Sequence, residues 1–325
     1  MPKVSIVIVC MNHPDILYPC LDGISKHTSV SYETLVVAYM FSDANLQDLK
    51  ARYPWVSIIE SRELRGFSEN NNLALRQAKG EYCFVVNDDT LMDMPVIDRL
   101  VADIEKLPRA AAVSPAIYYP SGARQTCGRG PWGPLKYMRH YLHLVDETKQ
   151  SEYTWREGLF RTCTLHGACF LIRTDTFRNA GWFDETYTFT PEDAALGMLL
   201  GRMGYEVWAD RDVSIVHIAN ATASRMEAVI KPVRVRGSLI LYSSMKHLHS
   251  PQGTGYVNKA VYAALGSFVW LFEALRGLKY GVKKLIGHMS ERDCIMALTA
   301  RNVRRSVFSS RMPKEIFVKY YNERF

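Results

Sequence analysis

Short apolar runs alternate with amphipathic stretches through the first two-thirds of the chain. VSIVIVC (4–10), ETLVVAYM (33–40), VSIIES (56–61), EYCFVVN (81–87), AAVSPAIYY (111–119) and ACFLIR (168–173) have strand length and β-branched content. Between them, Pro14 to Thr28 carries Ile16, Leu17, Leu21 and Ile24 near helical spacing. Residues 45–53, 68–80, 96–106 and 191–204 also read as helices, that of 68–80 closed by Gly80. YEVWAD (205–210) and VSIVHI (213–218) read as two short strands. Near-continuous apolar strands separated by helices predict an α/β fold with a mainly parallel central sheet, covered on both faces. In such sheets ligands bind beyond the carboxyl ends of the strands.

Two regions break the alternation. Residues 120–160 are irregular, with Gly and Pro in GRGPWGP (128–134), and predict an excursion over the sheet. After about residue 230 the pattern becomes helical, which divides the chain into an α/β domain (1–230) and a helical C-terminal segment (231–325). Within the latter, thirteen uncharged residues, AVYAALGSFVWLF, lie between Lys259 and Glu273. A membrane-spanning helix needs about 20 apolar residues, so this run alone is too short. Basic, amphipathic LRGLKYGVKKLIGHM follows it. Two readings stand: a helix packed on the body, or one lying in the plane of an anionic membrane.

Charge sharpens the division. Residues 1–217 hold 22 Lys/Arg against 27 Asp/Glu, and residues 218–325 hold 18 against 6, within a total of +7. A slightly acidic body thus carries a strongly basic tail, which suggests an anionic partner. No aromatic stacking platform accompanies the basic residues, so a membrane surface ranks above nucleic acid. At 325 residues, 48% apolar and 22% charged, the chain can bury a substantial core. Seven cysteines, an odd number without metal-ligand spacing, read as reduced thiols and predict a cytoplasmic protein, peripheral at the inner face of the cell membrane if the tail binds lipid. The first fifteen residues do not read as a leader peptide.

The chemistry begins where strand 81–87 runs into Asp88 and Asp89. Two adjacent carboxylates at a strand end repel each other and are costly to desolvate; a cation offsets both. Hard oxygen ligands suit Mg²⁺ or Mn²⁺, which bind proteins through one or two carboxylates while phosphate oxygens complete the shell. An Asn-Asp-Asp turn that merely caps a strand is the competing reading.

Four blocks in order set that pair in context. VSIVIVCMNHPDILYPCLDGI, RGFSENNNLALRQAKGEYCFVVNDDT, HGACFLIRTDTFRNAGWFDETY and PEDAALGMLLGRMGYEVWADRDVSIVHI together resemble the family 2 glycosyltransferases over about residues 3–220. These are inverting enzymes of the GT-A nucleotide-sugar fold, and the likeness is nearest to the branch that includes bacterial rhamnosyltransferases. The resemblance implies metal-dependent transfer of a sugar, a hexose or deoxyhexose, from a nucleotide-diphosphate donor to a glycan or lipid-linked acceptor, in cell-surface polysaccharide synthesis. It implies that Asp89 and His217 hold the divalent cation and that Asp193 is the general base. Asp88, Asp89, Gly66 and Asn72 would serve the donor, and Trp182, Asp184 and Glu192 the acceptor; Tyr39, outside the family pattern, is a candidate to stack on the donor's base. Each role has a plainer reading. Glu192-Asp193 makes a good helix N-terminus, His217 and Trp182 would pack well in a core, and His166 reads as structural.

The pattern departs from the family at its second strand, where an acidic residue normally meets the nucleotide base. Here Ala38 and Tyr39 stand, with Asp43 nearby. A family acid two residues after the base is Ala195 here. The first departure leaves a second function open: a non-catalytic, sugar- or partner-binding relative with a degenerate donor site.

Overall fold

The computed structural model describes residues 1–125, 133–145, 156–219, 226–244 and 257–324. These form two compact units. The first comprises Met1–Pro131, Glu147–Asp184 and Asp193–Ala221; the second comprises Trp132–Asp146, Glu185–Glu192 and Thr222–Phe325. The division falls near residue 222, not 230, and the helical unit also recruits two earlier segments. Most of the Gly/Pro-rich stretch 128–134 lies outside the described residues.

The first unit is built on one sheet. Strands β1 (Val4–Met11), β2 (Tyr32–Tyr39), β3 (Val56–Ser61) and β4 (Tyr82–Asn87) run parallel in the order β3-β2-β1-β4. Helices α1 (Pro14–His27), α2 (Asp43–Arg52) and α3 (Phe67–Leu75) connect them. Next come the short β5 (Thr90–Leu91), α4 (Val96–Glu105) and β6 (Ala110–Tyr118). Then follow β7 (Leu159–Thr162), β8 (Cys169–Arg173), α6 (Thr174–Asn179), α7 (Glu192–Arg202) and β9 (Glu206–His217). The sheet continues β4-β8-β6-β9-β5, with β7 paired to β9. One reversal matters for the site. β8 is antiparallel to both β4 and β6, whereas β6 and β9 are parallel. The amino end of β8 therefore meets the carboxyl ends of β4, β6 and β9 at one edge. The strands are near-continuous apolar runs because each sheet face is buried: Ile6, Ile8, Phe84 and Leu171 in one cluster, Val7, Val85, Phe170 and Ile172 in the other.

Two elements differ from the sequence expectation for identifiable reasons. The pair read at 205–210 and 213–218 is one strand, β9. Arg211 and Asp212 interrupt its apolar pattern, and a register shift opposite Pro115–Ala116 absorbs them. Helix α3 ends at Leu75 rather than at Gly80, as Gln77 and Ala78 bond three residues back. Gly80 answers to a different constraint. A Cβ there would stand 2.7 Å from the Val4 carbonyl carbon and nearer still to the Ser5 amide nitrogen. The Gly80 amide also donates to Ser5 Oγ at 2.8 Å.

The second unit is helical: α5 (Pro134–Tyr141), α8 (Glu227–Ser244), α9 (Lys259–Leu285), α10 (Glu291–Val307) and α11 (Pro313–Asn322). Leu239, Leu241, Val269, Val303 and Phe317 are buried within it. Arg236, on α8, donates to the carbonyls of Val307 and Ser309 at 2.9 and 3.0 Å, satisfying the open end of α10.

Gly80→Ala tests the close approach between β1 and the chain entering β4. Because the obstacle is backbone, the substitution should lower unfolding free energy by about 1–3 kcal/mol, measured by urea denaturation. An unchanged midpoint would show that the contact can relax.

Candidate active site

At the carboxyl edge of the sheet, β5 pairs antiparallel with the end of β9, so that Thr90 lies opposite His217. The Ile218 amide donates to the Asp89 carbonyl at 2.9 Å, extending that pairing by one residue. As a result Asp89 Oδ1 and His217 Nε2 are 3.0 Å apart, and both residues are buried. They are 128 positions apart in the chain, so the topology alone joins them.

The other face of the His217 ring is fixed by Gln125. Its Nε2 donates to the His217 carbonyl at 2.7 Å, which orients the amide. Its Oε1 therefore faces His217 Nδ1, also at 2.7 Å, and must accept a proton from it. The imidazole is thus held with Nδ1 protonated and Nε2 directed at Asp89. This is the arrangement by which a metal-ligating histidine is oriented from behind. Sequence reasoning missed Gln125; a lone Gln in an irregular loop carries no periodic or spacing signal.

Asn87 and Asp88 complete the turn. Asn87 Nδ2 lies 3.2 Å from His217 Nε2. Burial pushes the Asp88 carboxyl up to about 7, and repulsion from Asp89 adds to the rise. Hydrogen bonding from the Cys10 thiol opposes it. The turn is thus electrostatically short of positive charge.

Asp193 reaches the same edge from α7. Its Oδ2 accepts the Gly167 amide at 3.0 Å and its Oδ1 the Ala194 amide at 2.6 Å. Gly167 belongs to the stretch entering β8, whose next residue, Ala168, accepts the Asn87 amide at 2.9 Å. His166 beside it meets the His217 ring edge-on, with centroids 6.1 Å apart. Its Nδ1 lies 3.1 Å from the Ala168 amide, from which it accepts. The reversed strand thereby links Asp193 to the Asp89–His217 pair through His166 and Gly167. His166, read as structural in the sequence, is part of this link. Close packing seats α7, for a Cβ at Gly197 would lie 2.8 Å from the Cys163 carbonyl oxygen.

Several expected donor and acceptor residues are placed otherwise. Tyr39 is 4% exposed and its hydroxyl accepts the Arg65 amide at 3.2 Å. Its ring is therefore sequestered rather than offered to a base, and it supports the loop before α3. Gly66 is the N-cap of α3, its amide bonded to Glu69 Oε2 at 3.2 Å. Asn72 is 1% exposed and pairs with both backbone groups of Phe183, at 2.9 and 3.1 Å. Those two bonds fix the 181–184 loop. On that loop Trp182 packs edge-on against Phe177 at 5.3 Å and under the Arg178 guanidinium. Asp184 is half-buried there. Glu192, buried, opens α7 in the sequence position before Asp193.

The donor set suits a hard divalent cation. Neighbouring ligands of an octahedral ion bound at about 2.1 Å stand about 3 Å apart, matching the Asp89–His217 separation. Among the described residues no cluster of three or more His, Cys, Asp or Glu could close a cage. An ion here would leave most of its shell to water and phosphate oxygens, as Mg²⁺ and Mn²⁺ prefer.

The family model of glycosyl transferase family 2 matches residues 5–180, more than half of the chain. The chain belongs to that family. It is 24% identical to the O-antigen biosynthesis protein RfbC of Myxococcus xanthus, over 79% of this chain and 20% of that protein. It therefore spans only about a fifth of that relative. It is 26% identical to an N-acetylglucosaminyl-diphospho-decaprenol L-rhamnosyltransferase of Mycobacterium tuberculosis, over 62% of this chain and 72% of that protein. Among solved structures, a Pyrobaculum calidifontis mannosyltransferase in complex with GDP-Man and Mn²⁺ superposes with a TM-score of 0.53 at 14% identity, covering 95% of this chain and 88% of that one. GalNAc-T7 with UDP, GalNAc and Mn²⁺ superposes at 0.55 and 16% identity, covering 87% and 58%. The fold is that of the GT-A glycosyltransferases.

Gln125→Ala should weaken Mn²⁺ binding on the order of 10–100-fold while sparing the fold, because it releases the His217 ring. Titration followed by the paramagnetic signal of free Mn²⁺ measures it. Affinity equal to wild type would show that Gln125 does not orient the ring.

Proposed function

We propose that this chain is an inverting, metal-dependent glycosyltransferase acting in cell-surface polysaccharide synthesis, with a nucleotide-diphosphate sugar as donor and a glycan or lipid-linked saccharide as acceptor. The observation that carries this reading is the 3.0 Å approach of Asp89 and His217, linked to Asp193 through His166 and Gly167. The names of the relatives above support the pathway and the kinds of donor and acceptor.

Asp193 acts as general base. A sugar hydroxyl is a poor nucleophile at neutral pH, and a carboxylate within about 3 Å that takes its proton as the new bond forms contributes roughly 10²–10⁴ in rate. The hydroxyl oxygen attacks the anomeric carbon opposite the leaving diphosphate, which inverts that centre. The Gly167 and Ala194 amides keep the Asp193 carboxylate in place without supplying a proton in competition. Asp89 and His217 would hold Mg²⁺ or Mn²⁺, which when bound would supply positive charge to the leaving diphosphate. Asp88 lies beside the sugar and ribose. Trp182, Asp184 and Glu192 border the acceptor.

The degenerate-donor-site alternative rests on Ala38, which is buried at the end of β2 where an acid would meet the base. Asp193→Asn separates the two readings. Turnover should fall by about 10²–10⁴ while donor affinity in Mn²⁺ stays within about threefold of wild type. Wild-type turnover in the variant would reject the base assignment. Failure of every donor in a nucleotide-sugar panel to bind would favour the non-catalytic relative.

The protein also associates with the inner membrane face through α9. The sequence pointed to the apolar run 260–272 and the basic, amphipathic stretch after it; within the run Leu265, Gly266 and Val269 are buried in the helical unit. The exposed stripe starts near the end of that run, at Leu271, and continues through Leu275, Leu278, Val282 and Leu285, with helical spacing and Lys279 and Lys284 beside it. The helix is 27 residues long, and one window within it is apolar enough to span a bilayer by length and composition, with 22% of that window buried. Its lysine-flanked stripe favours an in-plane position on anionic lipid. Changing both Leu275 and Leu278 to Glu should reduce flotation with phosphatidylglycerol vesicles at least tenfold, since each buried leucine contributes about 1.5–3 kcal/mol. Undiminished flotation would contradict that surface.

A further inference from the structure

The helical unit contains a cavity of about 310 Å³ that the transfer chemistry does not use. Three cationic side chains line it: Lys231 and Arg234 from α8 and Arg276 from α9. Glu227, at the start of α8, is the carboxylate on its wall, and the imidazoles of His140 and His143 complete the titratable set there. The cationic groups are therefore in excess.

Their partners sharpen the picture. Glu273 is fully buried and holds Arg276 at 2.8 Å, while Tyr141 donates to the same carboxylate oxygen at 2.7 Å. That contact fixes the guanidinium at the cavity wall. Lys231 and Arg234 form no ion pair among the described residues. The buried Nε of Arg234 has no hydrogen-bond partner. Tyr137 is 4% exposed and lines the cavity, its buried hydroxyl beside Ser238. Burial, with repulsion from Arg276 next, holds Lys231 below its ordinary value. Desolvated cations and an unpartnered donor facing one space are costly unless an anion enters it.

We propose that this cavity binds a phosphate or diphosphate group, with Lys231, Arg234 and Arg276 contacting its oxygens and the Tyr137 hydroxyl donating to it. Arginine and lysine together match the several acceptor oxygens of such a group. The source could be free phosphate or a lipid. Arg276 belongs to the same turns of α9 as Leu275 and Leu278, so the helix that walls the cavity also carries the exposed apolar stripe. This favours a lipid phosphate, and, on the reading of the protein as a transferase with a lipid-linked acceptor, the acceptor's own diphosphate.

The test uses the full chain in EDTA, which removes any contribution from an ion at Asp89 and His217. Calorimetric titration with inorganic pyrophosphate should show saturable binding, weakened at least tenfold in Lys231→Gln and in Arg234→Gln and retained in Lys231→Arg and Asp89→Asn. Flotation with vesicles containing phosphatidic acid separates the sources. Loss of flotation in Lys231→Gln assigns the site to lipid phosphate, whereas loss of pyrophosphate binding alone assigns it to a soluble phosphate. The proposal is overturned if wild type binds neither probe, or if both Gln variants bind as wild type does. Mn²⁺-dependent binding of nucleotide sugars, measured on the same proteins, should be unaffected by these variants. Its absence from wild type would refute the transferase reading and leave the phosphate site standing.

Discussion

The pairing of Thr90–Leu91 with Val216–His217 is the contact on which the site depends. It is short, yet it brings the last residue of β9 against the carboxylate that follows β4. Without it Asp88 and Asp89 would be two like charges beside each other with no compensating group. Burial of Asp88, which raises its carboxyl to about 7, shows how poorly the bare turn tolerates ionisation. A cation resolves that conflict, and the leaving group it would steady is anionic.

The reversal of β8 performs the complementary task. In an all-parallel sheet the amino end of every strand lies away from the ligand edge. Because β8 runs against β4 and β6, its lead-in residues His166, Gly167 and Ala168 stand at that edge instead. Gly167 anchors the Asp193 carboxylate by a backbone amide, and His166 lies against His217. Asp193 and the Asp89–His217 pair are thus fixed by backbone pairing on separate elements, which limits how far either can drift from the other. In the proposed transfer, such positional restraint lets proton removal and leaving-group stabilisation act on one sugar.

The sheet strands and most helices were legible in the sequence because burial on both faces leaves continuous apolar runs. What escaped was whatever lacked periodicity. β5 has two residues, too few for a pattern, and β7 falls within the stretch that reads as irregular. The Arg211-Asp212 interruption made one strand look like two, since a bulge breaks the same pattern that a turn does. At the site, the Asp88–Asp89 pair stood out by type, and Asp193 and His217 through the resemblance of their block. Gln125 did not, because its role depends on the backbone it touches. Tyr39 and Asn72 show the converse. A polar or aromatic residue in a motif block looks like a ligand contact, but both hold loops by pairing with backbone amides or carbonyls. On α9 composition located an apolar segment, and packing against α10 decided which part of it remained exposed.

The central claim is that Asp89 and His217 share one divalent cation. Electron spin-echo spectroscopy of the Mn²⁺-loaded protein tests it most directly, by detecting nitrogen bonded to the ion. The account predicts the coupling of a single directly bound imidazole, abolished in His217→Ala and preserved in His166→Ala. Bound Mn²⁺ without any nitrogen coupling would contradict it.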